Sequence, residues 1–94
     1  MSFSEDHIAK CKAAMTKSGP QEALRLLGSG RVTVEVTPGG DLLLDTLDGK
    51  RIRDHGRKIG IAGAWPLVVA GMVDRFGVVT QEGRELLAEL GGVA

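Results

Sequence analysis

Apolar residues recur along this 94-residue chain at two different periods, and the changes of period mark its elements. Ile8, Cys11 and Met15 stand three and four residues apart, one stripe of a first helix whose Lys10, Lys12 and Lys17 face outward. Ser4 is its natural N-cap, because a hydroxyl accepts from the free backbone N–H groups of a first turn, and Glu5 and Asp6 suit the positive end of the helix dipole. Phe3 before the cap and Ile8 beyond it are spaced for a hydrophobic staple. Ser18-Gly19-Pro20 breaks this helix. Pro20 opens a second, reaching Leu27, with Ala23, Leu24 and Leu27 turned inward and Gly28-Ser29-Gly30 closing it.

From Arg31 to Thr37 the period drops to two. Val32, Val34 and Val36 alternate with Thr33, Glu35 and Thr37, the pattern of a half-buried strand. Pro38-Gly39-Gly40-Asp41 is a turn and Leu42–Leu47 a second strand. Asp48-Gly49 matches the two-residue hairpin turn that requires positive φ, and Lys50–Arg53 follows as a short third strand. The middle of the chain therefore reads as an antiparallel β-hairpin or a three-strand meander. Regular alternation along the second strand sets Leu43 and Leu47 opposite Leu42 and Leu44. Both faces would then need cover, from the first helix or otherwise from a second copy in a homodimer.

Asp54–Lys58 is a polar loop. Pro66 starts a helix that is apolar nearly all round through Leu67, Val68, Val69, Ala70, Met72 and Val73, which predicts a central place in the core or against a partner. Asp74-Arg75-Phe76-Gly77 turns, Val78-Val79 extends, and Thr80 caps a last helix with Leu86, Leu87 and Leu90 on its buried stripe. Gly91-Gly92 ends it.

The stretch from Ile59 to Leu90 resembles the back half of winged helix-turn-helix domains. The shared positions are Leu67, Gly71, Met72 and Val73, then Val79, Thr80, Gly83, Arg84, Leu86 and Leu87. The resemblance implies one α+β domain over residues 1–94. It would be winged-helix-like, with two N-terminal helices, the hairpin or meander, and two C-terminal helices. It does not carry over the reading of base pairs. The wing is cut to Asp74–Gly77, and a hairpin stands where short helices are usual. The helix in the recognition position opens Ala62-Gly63-Ala64-Trp65-Pro66, with none of the Arg, Asn, Gln or Ser side chains that read base edges.

Composition narrows the chemistry. Twelve Lys and Arg balance twelve Asp and Glu, so the broad basic excess of a dedicated nucleic-acid binder is missing and the distribution of charge has to decide. The single cysteine, Cys11, can build neither a disulfide framework nor a metal cluster, which fits a cytoplasmic setting. The N-terminal residues lack the pattern of a signal peptide. The longest apolar run, Ile59–Val73, is broken by Gly60, Gly63, Pro66 and Gly71 and is too short for a bilayer, so no membrane association is expected.

The strongest charge feature is Lys50-Arg51-Ile52-Arg53-Asp54-His55-Gly56-Arg57-Lys58. Its cations suit phosphate contact, or an acidic protein surface, or the solubility of an edge strand. Lys50, Arg51, Arg53, Arg57 and Lys58 are the candidate contacts, with Arg31 and Arg75 secondary. Trp65 reads as the main core plug in a chain with only two other aromatics, Phe3 and Phe76. His55 beside Asp54 has the look of a base and its orienting acid, but no serine or cysteine is placed for it to activate. Catalysis is not expected, nor are a metal or cofactor. Two functions follow. One is a small non-enzymatic regulatory protein that contacts nucleic acid through the basic loop with little base reading. The alternative is a protein-binding inhibitor or adaptor of phage or mobile-element type, anti-CRISPR-like in size and style.

Overall fold

In the computed structural model, which describes residues 3–91, Ser4 caps helix α1 (Glu5–Ala14), its Oγ accepting from the His7 N–H at 3.1 Å. Phe3 and Ile8 both pack against the core, as a staple requires. Helix α2 (Ser18–Gly28) begins two residues before Pro20 rather than at it. Proline is tolerated there because first-turn N–H groups have no intrahelical partner, and Gly19 offers no Cβ to clash with the proline ring. Helix α3 (Gln81–Glu89) starts from Thr80, whose Oγ1 accepts from Gly83 N at 3.1 Å and donates to Gly71 O at 2.6 Å. Gly91 follows its end at φ 69°; Gly92 lies outside the described residues.

Four antiparallel strands form one sheet: β1 (Val32–Val36), β2 (Leu42–Leu47), β3 (Lys50–Arg51) and β4 (Ile59–Gly60). β1 lines one edge of β2, while β3 and β4 share the other, β3 opposite Thr46 and Leu47 and β4 opposite Leu43 and Leu44. Asp48 (φ 52°) and Gly49 (φ 82°) make the expected hairpin turn, both with positive φ. Strict alternation along β2 does not hold. Val34 pairs with Leu44 but Thr33 pairs with Thr46, so Asp45 is an extra, bulged residue. The bulge flips everything beyond it. Leu47 joins Val32 on the inner face with Leu42 and Leu44, and the outer face carries Thr33–Thr46 and Glu35–Leu43. Thr33 and Thr46 share a 2.6 Å hydrogen bond there. The second apolar face that suggested a homodimer is thus largely absent.

The core gathers Cys11 and Met15 from α1, Ala23, Leu24 and Leu27 from α2, Leu42 from β2 and Leu87 from α3 around the segment Ala64–Val73. Leu24, Leu67, Val73, Pro66 and Cys11 are its largest fully buried side chains. Burial pushes the Cys11 thiol up, against the charge of Lys10, as for a cysteine packed in an apolar core.

The helix expected from Pro66 is instead a run of turns, so among the described residues one C-terminal helix is present rather than two. Gly63 (φ 79°) and Gly71 (φ 83°) bound the run, leaving too few residues for helix propagation to outweigh nucleation. One α-type bond forms, Ala70 N to Pro66 O at 2.8 Å. Gly71 N to Val68 O (3.1 Å) and Met72 N to Leu67 O (2.9 Å) then complete a Schellman cap. The cap read from Gly71 is there, at the end of a single turn. A five-residue turn follows, in which Asp74 Oδ1 accepts from Phe76 N (2.8 Å) and Val78 N (3.0 Å) and Val73 bridges Val79. Trp65 is 42 % exposed. Leu24 and Leu67 hold the place in the core that Trp65 was expected to take.

Candidate nucleic-acid interface

β3 and β4 are two ends of one edge strand that leaves the sheet between them. Ile52 N still donates to Asp45 O at 3.0 Å, and then the chain departs opposite the bulge. Asp54 and Arg57 exchange both backbone hydrogen bonds (2.8 and 3.0 Å), with His55 (φ 50°) and Gly56 (φ 79°) at the tip of a second tight turn. What reads in sequence as a polar loop is thus a small projecting hairpin.

Arg53 fills the gap this excursion leaves. Its Nη1 donates to Asp45 O and Ile52 O, both at 2.8 Å, and its Nη2 to Asp45 Oδ1 at 2.6 Å. Lys58 Nζ sits 3.0 Å from Glu35 Oε1, bridging β2 on the outer face. Arg31 makes a two-point contact with Asp48 across the hairpin end, Nε–Oδ1 at 3.1 Å and Nη2–Oδ2 at 3.0 Å. Arg75 lies over the Phe76 ring, 4.9 Å from its centroid. Four of the seven cations singled out by sequence are therefore engaged within the fold. Lys50, Arg51 and Arg57 are exposed, and among the described residues they make no ion pair and no side-chain hydrogen bond. Lys50 and Arg51 are neighbours on β3, opposite Leu47 and Thr46 and therefore on alternate faces, and Arg57 stands on the projecting turn.

The electrostatics agree with this division. The Arg53 hydrogen bond holds the Asp45 carboxyl below its ordinary range, against an opposing desolvation and with help from the charges of Lys58, Arg53 and Arg51. The Arg31 hydrogen bond lowers Asp48 in the same way, and Asp48 in turn raises Arg31. A carboxyl depressed in the folded state stabilises the fold above its unfolded pKa, and that contribution is lost as pH falls through the folded value. Urea midpoints are accordingly expected to hold steady from pH 7 to 5 and to fall below about pH 4, near the unperturbed carboxylate value. Asp45→Asn should flatten part of that fall; an unchanged profile would show that the pair is not formed.

Arg53 and Arg51 should separate cleanly on mutation. Arg53→Ala strips two carbonyls and a carboxylate of their donor and is expected to cost about 1–2 kcal/mol. Arg51→Ala should stay within about 0.5 kcal/mol of wild type, as an exposed side chain without partners. Equal losses in denaturant melts would contradict the assignment.

Trp65 is the residue sequence reasoning placed wrongly. It lines a shallow recess of about 230 Å³ with Asp41, Leu42, Leu43, Gly60, Ile61 and Gly63. His55 Nδ1 and Asp54 Oδ1 are 3.0 Å apart, both largely solvent-exposed. Ser4 caps α1, and Ser29 donates to Leu26 O at the end of α2. Among the described residues no group of three or more His, Cys, Asp or Glu is placed to hold a metal ion, and no helix is long and apolar enough to cross a membrane. Compared with known proteins, the chain matches no protein family, no curated protein and no solved structure.

Proposed function

We propose that this chain is a small, non-enzymatic regulatory binding protein of the cytoplasm that contacts nucleic acid through the projecting turn and β3. On this reading the frame is winged-helix-like, with the recognition helix reduced to the single turn after Pro66 and the wing to Asp74–Gly77. The observation that carries it is the split among the cations. Arg53 and Lys58 brace the excursion, while Arg57 on its turn and Lys50 and Arg51 on β3 have no partner of their own. Arg57 on a braced turn, with Lys50 and Arg51 on the adjoining β3, suits phosphate contact without base reading. Three phosphate contacts predict a slope of log affinity against log salt of about −2 to −3. The test is a gel shift with generic DNA at two salt concentrations, repeated with Lys50, Arg51 and Arg57 changed together to Ala. Binding that ignores salt, or that survives the triple change, overturns the proposal.

A second reading is an inhibitor or adaptor of phage or mobile-element type that occupies a partner's surface. Phe76 and Val78 favour it, being 71 % and 55 % exposed. Val78 lines an apolar recess of about 610 Å³ with Leu27, Val32, Val79 and Leu87. Capture of one defined host protein by wild type and not by Phe76→Ser would support it. A light-scattering mass of two chains, reduced to one by the same change, would place the contact between copies of this protein instead.

A further inference from the structure

We propose that the nucleic acid this protein contacts is single-stranded, and that one of its bases stacks on Trp65 beside the free cations. The inference rests on the nucleic-acid reading above and extends it. The edge of β2 that carries β3 and β4 joins the two features. Leu43 pairs with Glu35 on one side and Gly60 on the other, and three residues further along β2 Thr46 pairs with Arg51. Trp65 shares its recess with Leu43 and Gly60. Lys58, two residues before Gly60, reaches Glu35 beside that same Leu43. Trp65's recess and Arg51 thus lie along the same edge of β2, their strand partners Leu43 and Thr46 about 10 Å apart at the rise of a strand, within the reach of a few nucleotides.

The recess is open where a base would enter. Gly60 is exposed, its φ is not positive, and a Cβ built on it meets no atom within 4 Å. An aromatic face in reach of cations recognises any unstacked base by its π surface, with the cations following the backbone. In a duplex the same faces are buried in the stack. A duplex reader would insert a helix or a wing into a groove, and here the run from Trp65 to Val73 is one turn and the wing is a five-residue turn. Charge is compatible with this: the chain has zero net charge, and the three unpaired cations on β3 and the turn match a short stretch of phosphates rather than a long duplex face.

Trp65 is the only tryptophan and there is no tyrosine, so intrinsic emission reports on this one site. The experiment titrates the protein at low salt with a twelve-residue oligothymidylate and with a duplex of the same length, following emission and, in parallel, anisotropy of a labelled oligonucleotide. Saturable quenching by the single strand is expected, with affinity at least about tenfold above the duplex. Trp65→Ala should weaken single-strand binding about ten- to a hundredfold. Gly60→Val, which fills the open side of the recess with the indole intact, should cause a comparable loss, and it secures the test should Trp65→Ala fail to fold. Single-strand binding with unchanged emission and unchanged affinity in both variants overturns the stacking site and leaves the nucleic-acid function standing. Preference for the duplex does the same. Failure to bind either form at low salt overturns both proposals and favours a protein partner.

Discussion

Gly63→Ala is expected to destabilise the protein by about 4 kcal/mol, lowering its melting temperature by roughly 20 °C for a domain of this size. Two costs add. Gly63 has φ +79°, where an L residue with a Cβ pays about 1–2 kcal/mol. The new Cβ would also stand 2.6 Å from both the carbonyl carbon and the oxygen of Gly19. Those are backbone atoms of the first turn of α2, so no side-chain rotation can relieve the clash, and overpacking of this kind costs about 1–3 kcal/mol. The reciprocal change is the control. A Cβ on Gly19 would meet Gly63 Cα at 3.8 Å, an ordinary contact, and Gly19 has no positive φ. Gly19→Ala should shift stability by under about 1 kcal/mol, a gain in helix propensity set against the restriction before Pro20. Urea denaturation of the two variants decides the matter; similar losses would mean that the close approach is not there. Because Gly63 sets the path into Trp65, Gly63→Ala should also disturb the recess before the domain melts.

Leu67→Ala is expected to cost about 3–5 kcal/mol, the upper range for a leucine truncated at a site that cannot collapse. Leu67 is fully buried in the central segment. Its carbonyl accepts from both Met72 N (2.9 Å) and Val73 N (3.2 Å), so the backbone around the side chain is tied at the cap and cannot close over a void. Calorimetry or urea melts would measure it. A loss under about 1.5 kcal/mol would show that the turn after Pro66 repacks freely, and that Leu67 is not the central plug. Gly83 makes the same point from the other side. Its place in α3 is set by backbone proximity, since a Cβ there would run into Met72 O and Val79. The segment is thus pinned by α3 beneath it and by α2 at its start.

The candidate site divides between what residue types announce and what only packing assigns. The cluster from Lys50 to Lys58 is visible as charge, and charge alone cannot say which members are spent. Asp45 and Glu35 are distant in sequence from Arg53 and Lys58. Their pairing needs the bulge that turns Asp45 out of the ladder, and a strand crossing that brings Glu35 beside Leu43. Trp65 failed the other way: a lone tryptophan among small residues suggests burial, yet Leu24 and Leu67 had already filled the core.

By itself the sequence determined the local elements whose causes are local. Ser4 and Thr80 cap because their hydroxyls reach N–H groups three residues on. Asp48-Gly49 turns because both residues accept positive φ, and β1 alternates because one face is buried. It also carried the α+β class and the cap at Gly71. The tertiary structure alone decided what depends on distant neighbours. It reduced an apolar run to one turn between two left-handed glycines, because Gly63 must lie against Gly19 and Gly71 against α3. It moved Leu47 to the inner face through a one-residue bulge. It sorted seven cations into three paired with carboxylates, one laid over the neighbouring Phe76 ring, and three without partners, because an ion pair is fixed by where its partner's strand arrives, which no spacing along the chain records.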